Sequence, residues 1–250
     1  MTNKIAVVFL QPGCNMGCAF CATEDGFDCM SFEAASALLE DLAALGVSNV
    51  ILGGGEPSCW PHDLAALALR AKELRFTVQV GTNGLELPGD FARWDFVDRW
   101  VLPLESMDPG PHDALRRARG GHHGILLARL EELGARKRPV TLSTVVTRPN
   151  VGGVPDLGGF LRAYHERHGN VHAWHLYRLL RVGRGGSRHA DDLQVPARRY
   201  EAAVAGARAM GLPFPVYRRA DMYGSPGIDF YWSEGGRIVR GRDRAPLTRP

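Results

Sequence analysis

The stretch "KIAVVFLQPGCNMGCAFCATEDG" runs from Lys4 to Gly26, and its reading decides the fold. Its first part, Lys4–Leu10, is short, apolar and rich in β-branched residues, which predicts a strand. Three cysteines follow at once, Cys14, Cys18 and Cys21, with Gly13 and Gly17 beside them. Four readings of such a loop compete: buried small hydrophobes, disulfide partners, a zinc site or an iron–sulfur site. Free cysteine is commonly buried as a small hydrophobe. Three in Cys-x3-Cys-x2-Cys spacing after a strand, with glycines that let backbone wrap a bulky ligand, go beyond that habit.

Working outward, strands and helices alternate along the chain. Ser31–Gly46 has helical apolar spacing, with Ser31 as N-cap and Gly46 as the stop. Asn49–Gly55 is a strand running into glycines, and Pro61–Leu74 a helix opened by proline. Thr77–Gly84 is a strand ending in a turn. Strands at Arg99–Glu105, Val140–Val146 and Val171–Leu180 alternate with helices at His123–Ala135, Val154–Gly169 and Pro196–Gly211. About six βα units with no dividing linker predict one α/β domain on a parallel sheet. Residues 1–212 form that domain. Residues 213–250 are expected as its C-terminal extension, with two short strands around the turn Glu234-Gly235-Gly236. The end, from Arg240, has no periodicity and is expected to be mobile.

The 250 residues suit one large domain. A chain of this size buries roughly 70–75% of its unfolded surface and needs no covalent staple. No apolar run reaches the ~18–20 residues of a membrane span. The N-terminus carries no cleavable leader pattern. Five cysteines is an odd count that argues against a disulfide framework, and a cytoplasmic location is expected. The net charge of +3 is mild and only three basic residues are lysines. No concentrated basic and aromatic stripe calls for nucleic acid.

In parallel α/β folds, functional residues gather at the carboxyl ends of strands. Four such segments here are unusual: the cysteine loop, "GGGEP" (Gly53–Pro57), "TNG" (Thr82–Gly84) and "LESMDP" (Leu104–Pro109). A structural zinc site wants four ligands, usually in two pairs. Cys29 is available as a fourth ligand, but the paired spacing is missing. Three thiolates suit a [4Fe–4S] cluster that leaves one iron without a protein ligand.

"CNMGCAFC" resembles the cluster motif of the radical S-adenosylmethionine (SAM) enzymes. "GGGEP" lies where that family carries its SAM-binding glycines, and "TNG" matches the end of its third strand. "LPLESMDPGPHDALR" (Leu102–Arg116) and "STVVTRPNV" (Ser143–Val151) resemble the fourth and fifth strands of the molybdenum-cofactor cyclase and viperin-like branch. The resemblance covers roughly Ile5 to Arg184. It implies a partial (β/α)6 TIM-like barrel. It implies an enzyme that cleaves SAM reductively and abstracts hydrogen through a 5′-deoxyadenosyl radical. A flavodoxin- or ferredoxin-like protein would donate the electron.

Roles follow from the resemblance. Cys14, Cys18 and Cys21 would bind the cluster, and Phe20 would shield it and border the adenine. Gly53, Gly54 and Gly55 would admit the methionine part of SAM, with Glu56 accepting from its ammonium group. Thr82 and Asn83 would reach the ribose or methionine end. Glu105 and Ser106 end the fourth strand. The family often has Asp at the place of Glu105 and Ser at the place of Pro103. Arg116 would pair with the SAM carboxylate. Cys59 is an incidental loop thiol that lies on the active face. His122 and His123 are expected on a solvent-facing loop. On the sixth strand, Trp174 is expected to pack while His175 or Tyr177 faces the cavity.

A small-molecule substrate is expected. No further cysteine follows Cys59, and little chain precedes the first strand, which argues against the larger peptide-modifying relatives. Arg148, Arg218, Arg219 and the arginines of Tyr177–His189 would line the barrel mouth and suit a phosphorylated or carboxylated molecule. Two further enzyme readings are a glycyl-radical-enzyme activase and a peptide-modifying enzyme. A zinc- or iron–sulfur-binding interaction module is the non-enzyme alternative.

Overall fold

The computed structural model describes residues 4–225 and 227–241. The expected mobile end therefore lies almost wholly outside the described residues.

One nine-stranded sheet carries the fold. Its strands are β1 (Ile5–Phe9), β2 (Asn49–Gly53), β3 (Thr77–Gly81), β4 (Arg99–Pro103), β5 (Val140–Val146), β6 (Val171–Arg178), β7 (Val216–Arg219), β8 (Ile228–Glu234) and β9 (Arg237–Arg240). Their spatial order is β7-β6-β5-β4-β3-β2-β1-β8-β9. Strands β1 to β8 are all parallel to their neighbours, and only β9 runs antiparallel, against β8. The sheet is open, a partial α/β barrel as expected. Its helices are α1 (Phe32–Ala44), α2 (Leu64–Glu73), α3 (Pro109–Arg116), α4 (His123–Ala135), α5 (Val154–His168), α6 (Gly183–Leu193) and α7 (Ala197–Ala209).

Strand alternation sorts the two faces. Ala6, Val8, Val50, Leu52, Val78, Val80 and Leu102 are fully buried in one core with Leu39, Leu42, Leu67, Leu130 and Leu161 of the helices. Their neighbours Val7, Phe9 and Ile51 lie toward the other face and are only partly buried.

Local chemistry sets the helix ends. The Ala34 N–H donates to Ser31 Oγ at 3.2 Å, the expected cap of α1. The Ala66 N–H donates to Asp63 Oδ1 at 2.9 Å, so α2 begins at Leu64 rather than at Pro61. Side-chain capping here outweighs the helix-opening habit of proline.

Four elements differ from the sequence reading. α3 is a helix between β4 and α4 where none was expected. β7 is a seventh parallel strand beside β6. β8 inserts beside β1, with Ile5 in register with Ile228. The segment read as an arginine-lined mouth is instead the helix α6. Among the described residues, no helix is long and apolar enough to cross a membrane.

Candidate cofactor site at the carboxyl rim

Because β1 to β4 are parallel, the segments that follow them meet on one rim. The cysteine loop follows β1, Gly54–Pro57 follows β2, Thr82–Gly84 follows β3 and Leu104–Ser106 follows β4.

The loops are stitched through backbone. The Gly55 N–H donates to Gln11 O at 2.7 Å and the Glu56 N–H to Gly13 O at 2.9 Å. The Gln11 side-chain amide donates to Glu56 O at 2.8 Å. A Cβ on Gly54 would lie 2.7 Å from Gln11 O, and its φ of +131° is itself closed to most residues. A Cβ on Gly55 would overlap the Gly13 carbonyl. The close approach that these glycines permit is therefore first to the cysteine loop itself. Gly53 has nothing closer than Gly81 O at 3.9 Å.

Glu56 is 1% exposed and organises the rim. Its Oε1 accepts from Thr82 Oγ1 at 2.6 Å, from Ser58 Oγ at 2.9 Å and from the Ser58 N–H at 3.1 Å. Its Oε2 accepts from the Asn83 N–H at 2.7 Å. Burial pushes the carboxyl pKa up, against the pull of these donors. The Asn83 side chain donates to Asn15 Oδ1 at 2.8 Å, beside Cys14.

Cys14, Cys18 and Cys21 are half-buried free thiols, and Cys29 is exposed. Burial pushes the Cys14 thiol up to about 11, and the charges of Cys18 and Cys21 add to the rise. Burial also pushes the Cys18 thiol up, and a cationic iron cluster would offset that cost by neutralising the thiolates it binds. Among the described residues, no three Cys, His, Asp or Glu side chains converge as they would around a single metal ion.

The fourth strand ends in a buried ion pair. Glu105 is fully buried and its Oε1 pairs with the Arg116 guanidinium. Arg116 also reaches Cys18 Sγ at 3.7 Å and lies 4.9 Å from the Phe20 ring centroid. Phe20 is buried with Leu115, Leu179 and Leu193, between α3 and α6. Ser106 is buried, and its Oγ accepts the Asp108 N–H at 3.0 Å, ahead of α3.

His122 and His123 are not on a solvent-facing loop: they are 0% and 8% exposed. The Glu105 N–H donates to His112 Nδ1 at 3.2 Å, which leaves the proton of neutral His112 on Nε2. That nitrogen meets His122 Nδ1 at 2.8 Å, and His122 Nε2 in turn donates to Asn83 O at 2.7 Å. A fixed pair of tautomers thus ties the end of β4 to the end of β3. Burial lowers the pKa of both rings, that of His112 to about 2.

Several rim residues were not picked out from the sequence. Asn150 Nδ2 donates to Glu105 O and to Val145 O, both at 2.9 Å. The start of α6 docks on the cysteine loop. The Gly185 and Gly186 N–H groups both donate to Cys21 O at 3.0 Å. Arg184 donates to Pro12 O and pairs with Asp25 at 3.2 Å. A Cβ on Gly185 would lie 2.6 Å from Cys21 N. The run "GRGG" was the available signal. From the other side, Asp28 N–H donates to Ser233 O of β8 at 2.7 Å.

The expected arginine mouth is largely spent on pairs within the protein. Arg218 pairs with Glu201 at 2.6 Å and Arg181 with Asp191 at 2.7 Å. Arg148 donates to Asp191 O at 3.1 Å. Trp174 is fully buried in the core, as expected. His175 and Tyr177 alternate with it, and His175 Nδ1 lies 3.3 Å from Tyr177 Oη.

A thiol loop, a glycine–glutamate turn and a strand-end Thr-Asn on one rim of a partial barrel define the class of iron–sulfur, SAM-binding enzymes. The profile of the Radical SAM superfamily matches residues 8–156, and the chain belongs to that superfamily. Its cofactors are a [4Fe–4S] cluster and SAM. The chain is 26% identical over 208 residues to an S-adenosylmethionine-dependent nucleotide dehydratase of Flammeovirga pacifica, covering 76% of this chain and 68% of that protein. It is 30% identical to the mycofactocin maturase MftC of Mycobacterium ulcerans over 62% of this chain and 43% of that protein. It spans about half (52%) of the pre-heme d1 synthase of Dinoroseobacter shibae, at 28% identity over 84% of its own length. Its fold is similar to that of Streptococcus suis SuiB bound to S-adenosylmethionine, with a TM-score of 0.70 at 15% identity over 86% of this chain and 50% of that one.

Proposed function

We propose that this enzyme cleaves SAM reductively and uses the resulting radical to abstract hydrogen from a small metabolite or nucleotide-like substrate. The observation that carries this reading is the juxtaposition of three free thiols with Glu56 across a backbone-stitched rim. Cys14, Cys18 and Cys21 hold the cluster. Glu56 accepts from the SAM ammonium group through the remaining lone pairs of Oε2, with Thr82 and Asn83 fixing its carboxylate. Gly53 offers open backbone to the methionine part. Phe20, Ser106 and the Glu105–Arg116 pair border the site. When bound, the cluster and SAM supply one electron to the sulfonium bond and a 5′-deoxyadenosyl radical to the substrate. The protein binds, orients and excludes water. The electron comes from a flavodoxin- or ferredoxin-like donor, in keeping with the one-electron demand.

The substrate lies against the inner face of β4 to β7. That face carries His175, Tyr177, Tyr217 and Arg219, which pair across β6 and β7. The Arg219 guanidinium lies 5.1 Å from the Tyr217 ring centroid and has no carboxylate partner among the described residues. Such a surface suits an anionic, planar molecule. The similarity to a nucleotide dehydratase supports the same reading. Residues 1–212 serve as the catalytic barrel and residues 213–250 as an extension of the same domain, whose strand β8 bridges to Asp28 beside the cysteine loop. Peptide modification is the second reading, favoured by similarity to the PqqA peptide cyclase of Methylorubrum populi, 28% identical over 57% of this chain.

Anaerobic reconstitution tests the proposal. A brown protein with about four irons per chain that releases 5′-deoxyadenosine on reduction supports it. A colourless protein that retains zinc and leaves SAM intact overturns it.

A further inference from the structure

We infer that Arg116, with Glu105 as its counter-charge, sets the reduction potential of the cluster. This role concerns electron entry, and it rests on the reading that Cys18 is a cluster ligand.

The geometry is specific. One guanidinium nitrogen of Arg116 faces Cys18 Sγ at 3.7 Å and the other binds Glu105 Oε1. The Arg116 side chain is 11% exposed and that of Glu105 is 0% exposed. A buried ion pair carries a large desolvation cost and is weak evidence for a stabilising role. Its placement against a sulfur ligand gives it another use. Hydrogen bonds and charge near the sulfurs of an iron–sulfur centre tune its potential.

The pair is held from every side. Glu105 Oε2 accepts the Val145 N–H at 2.8 Å, and Glu105 O accepts from Asn150 Nδ2 at 2.9 Å. The Glu105 N–H is bound by His112. The Phe20 ring lies against the guanidinium. At the end of α3 the Ala19 N–H donates to Leu115 O at 2.8 Å, which fixes the helix to the cysteine loop. Arg116 is therefore delivered to Cys18 by backbone as well as by side chain.

The signs follow from electrostatics. Reduction adds negative charge to the cluster. A fixed cation beside a ligand sulfur stabilises the reduced state and raises the potential. Glu105 opposes it and keeps the rise small. Arg116 and Glu105 are thus positioning residues with opposite effects on one equilibrium.

The test is an EPR-monitored redox titration of the reconstituted protein without SAM, for wild type, Arg116→Gln, Arg116→Lys and Glu105→Gln, each with its iron counted. Arg116→Gln is expected to weaken reduction about tenfold, which is about 59 mV downward for one electron. Glu105→Gln is expected to shift upward, and Arg116→Lys, which keeps the charge, to shift less than Arg116→Gln. An unchanged potential in Arg116→Gln overturns the inference. So do shifts of the same sign in Arg116→Gln and Glu105→Gln, since a purely structural role has no reason to reverse sign. If Arg116→Gln holds no iron, the upward shift of Glu105→Gln decides, and its absence overturns the inference. A wild-type protein that holds no four-iron cluster overturns the underlying reading instead, and the iron count alone shows it.

Discussion

The Oε2 of Glu56 accepts the backbone N–H of Asn83 at 2.7 Å, so the turn after β2 and the end of β3 share one buried carboxylate. With Glu56 in its proposed role, that contact couples SAM binding to the integrity of the rim.

Glu56→Gln is accordingly expected to do two things. A glutamine sets an NH2 against a donor that the carboxylate now accepts. The apoprotein should lose about 1–3 kcal/mol of stability in urea titrations. With the charge gone, SAM affinity should fall roughly ten- to hundredfold, read by titration of the oxidised cluster. Unchanged SAM affinity would confine Glu56 to a structural role.

Cluster retention should depend on three cysteines only. Replacing Cys14, Cys18 or Cys21 by Ala is expected to abolish SAM cleavage and to reduce bound iron. Cys29 is exposed, and Cys29→Ala should keep about four irons. Loss of iron in the Cys29 variant would show that the ligand set is wrong.

Two glycines packed against the cysteine loop should matter almost as much. A Cβ on Gly55 or Gly185 would collide with the backbone of the cysteine loop, whereas a Cβ on Gly17 would meet nothing within 4 Å. Gly55→Ala and Gly185→Ala should therefore lose reconstituted iron, with Gly17→Ala as the unaffected control. Iron counts equal in all three would mean that the loop does not need its two clamps.

Acid should loosen the fold through His112 and His122. Burial lowers both folded pKa values below the ordinary 6.5, so the unfolded chain binds more protons. Their contribution to stability is complete above pH 6.5 and is lost as pH falls toward the folded values, by about 1.4 kcal/mol per pH unit for each ring. Urea midpoints of the apoprotein should drop between pH 7 and pH 5.5. A His112→Gln variant should be weaker at pH 7 but less sensitive to acid. Identical pH slopes in the two proteins would rule this out.

The parts legible in the sequence share a physical origin. Ser31 caps α1, Gly46 ends it and Cys14 follows β1 because these are local chemistries, written within a few residues. The rim residues were legible because parallel strands deliver their ends to one side. The rest depends on distant partners. No local pattern tells that β8 sits beside β1, or that His112 meets His122 in the interior. α6 escaped notice because "GRGGSRHADDL" is glycine-rich and polar, with few apolar residues to mark a helical period. It holds its place by donating backbone N–H groups to Cys21 O. The arginines read as a mouth form surface pairs because the helices α6 and α7 carry Asp191 and Glu201 back beside Arg181 and Arg218.

The insertion of β8 beside β1 has a consequence for biosynthesis. β1 and the cysteine loop emerge from the ribosome early, while the strand that closes their open flank is made on the order of ten to forty seconds later. Throughout that interval Ile5–Phe9 is an apolar edge without its second neighbour, the kind of edge that recruits other chains. The thiols meanwhile lack the covering bridge between Asp28 and Ser233. The flank of the cysteine loop is thus the last part of the sheet that synthesis can close.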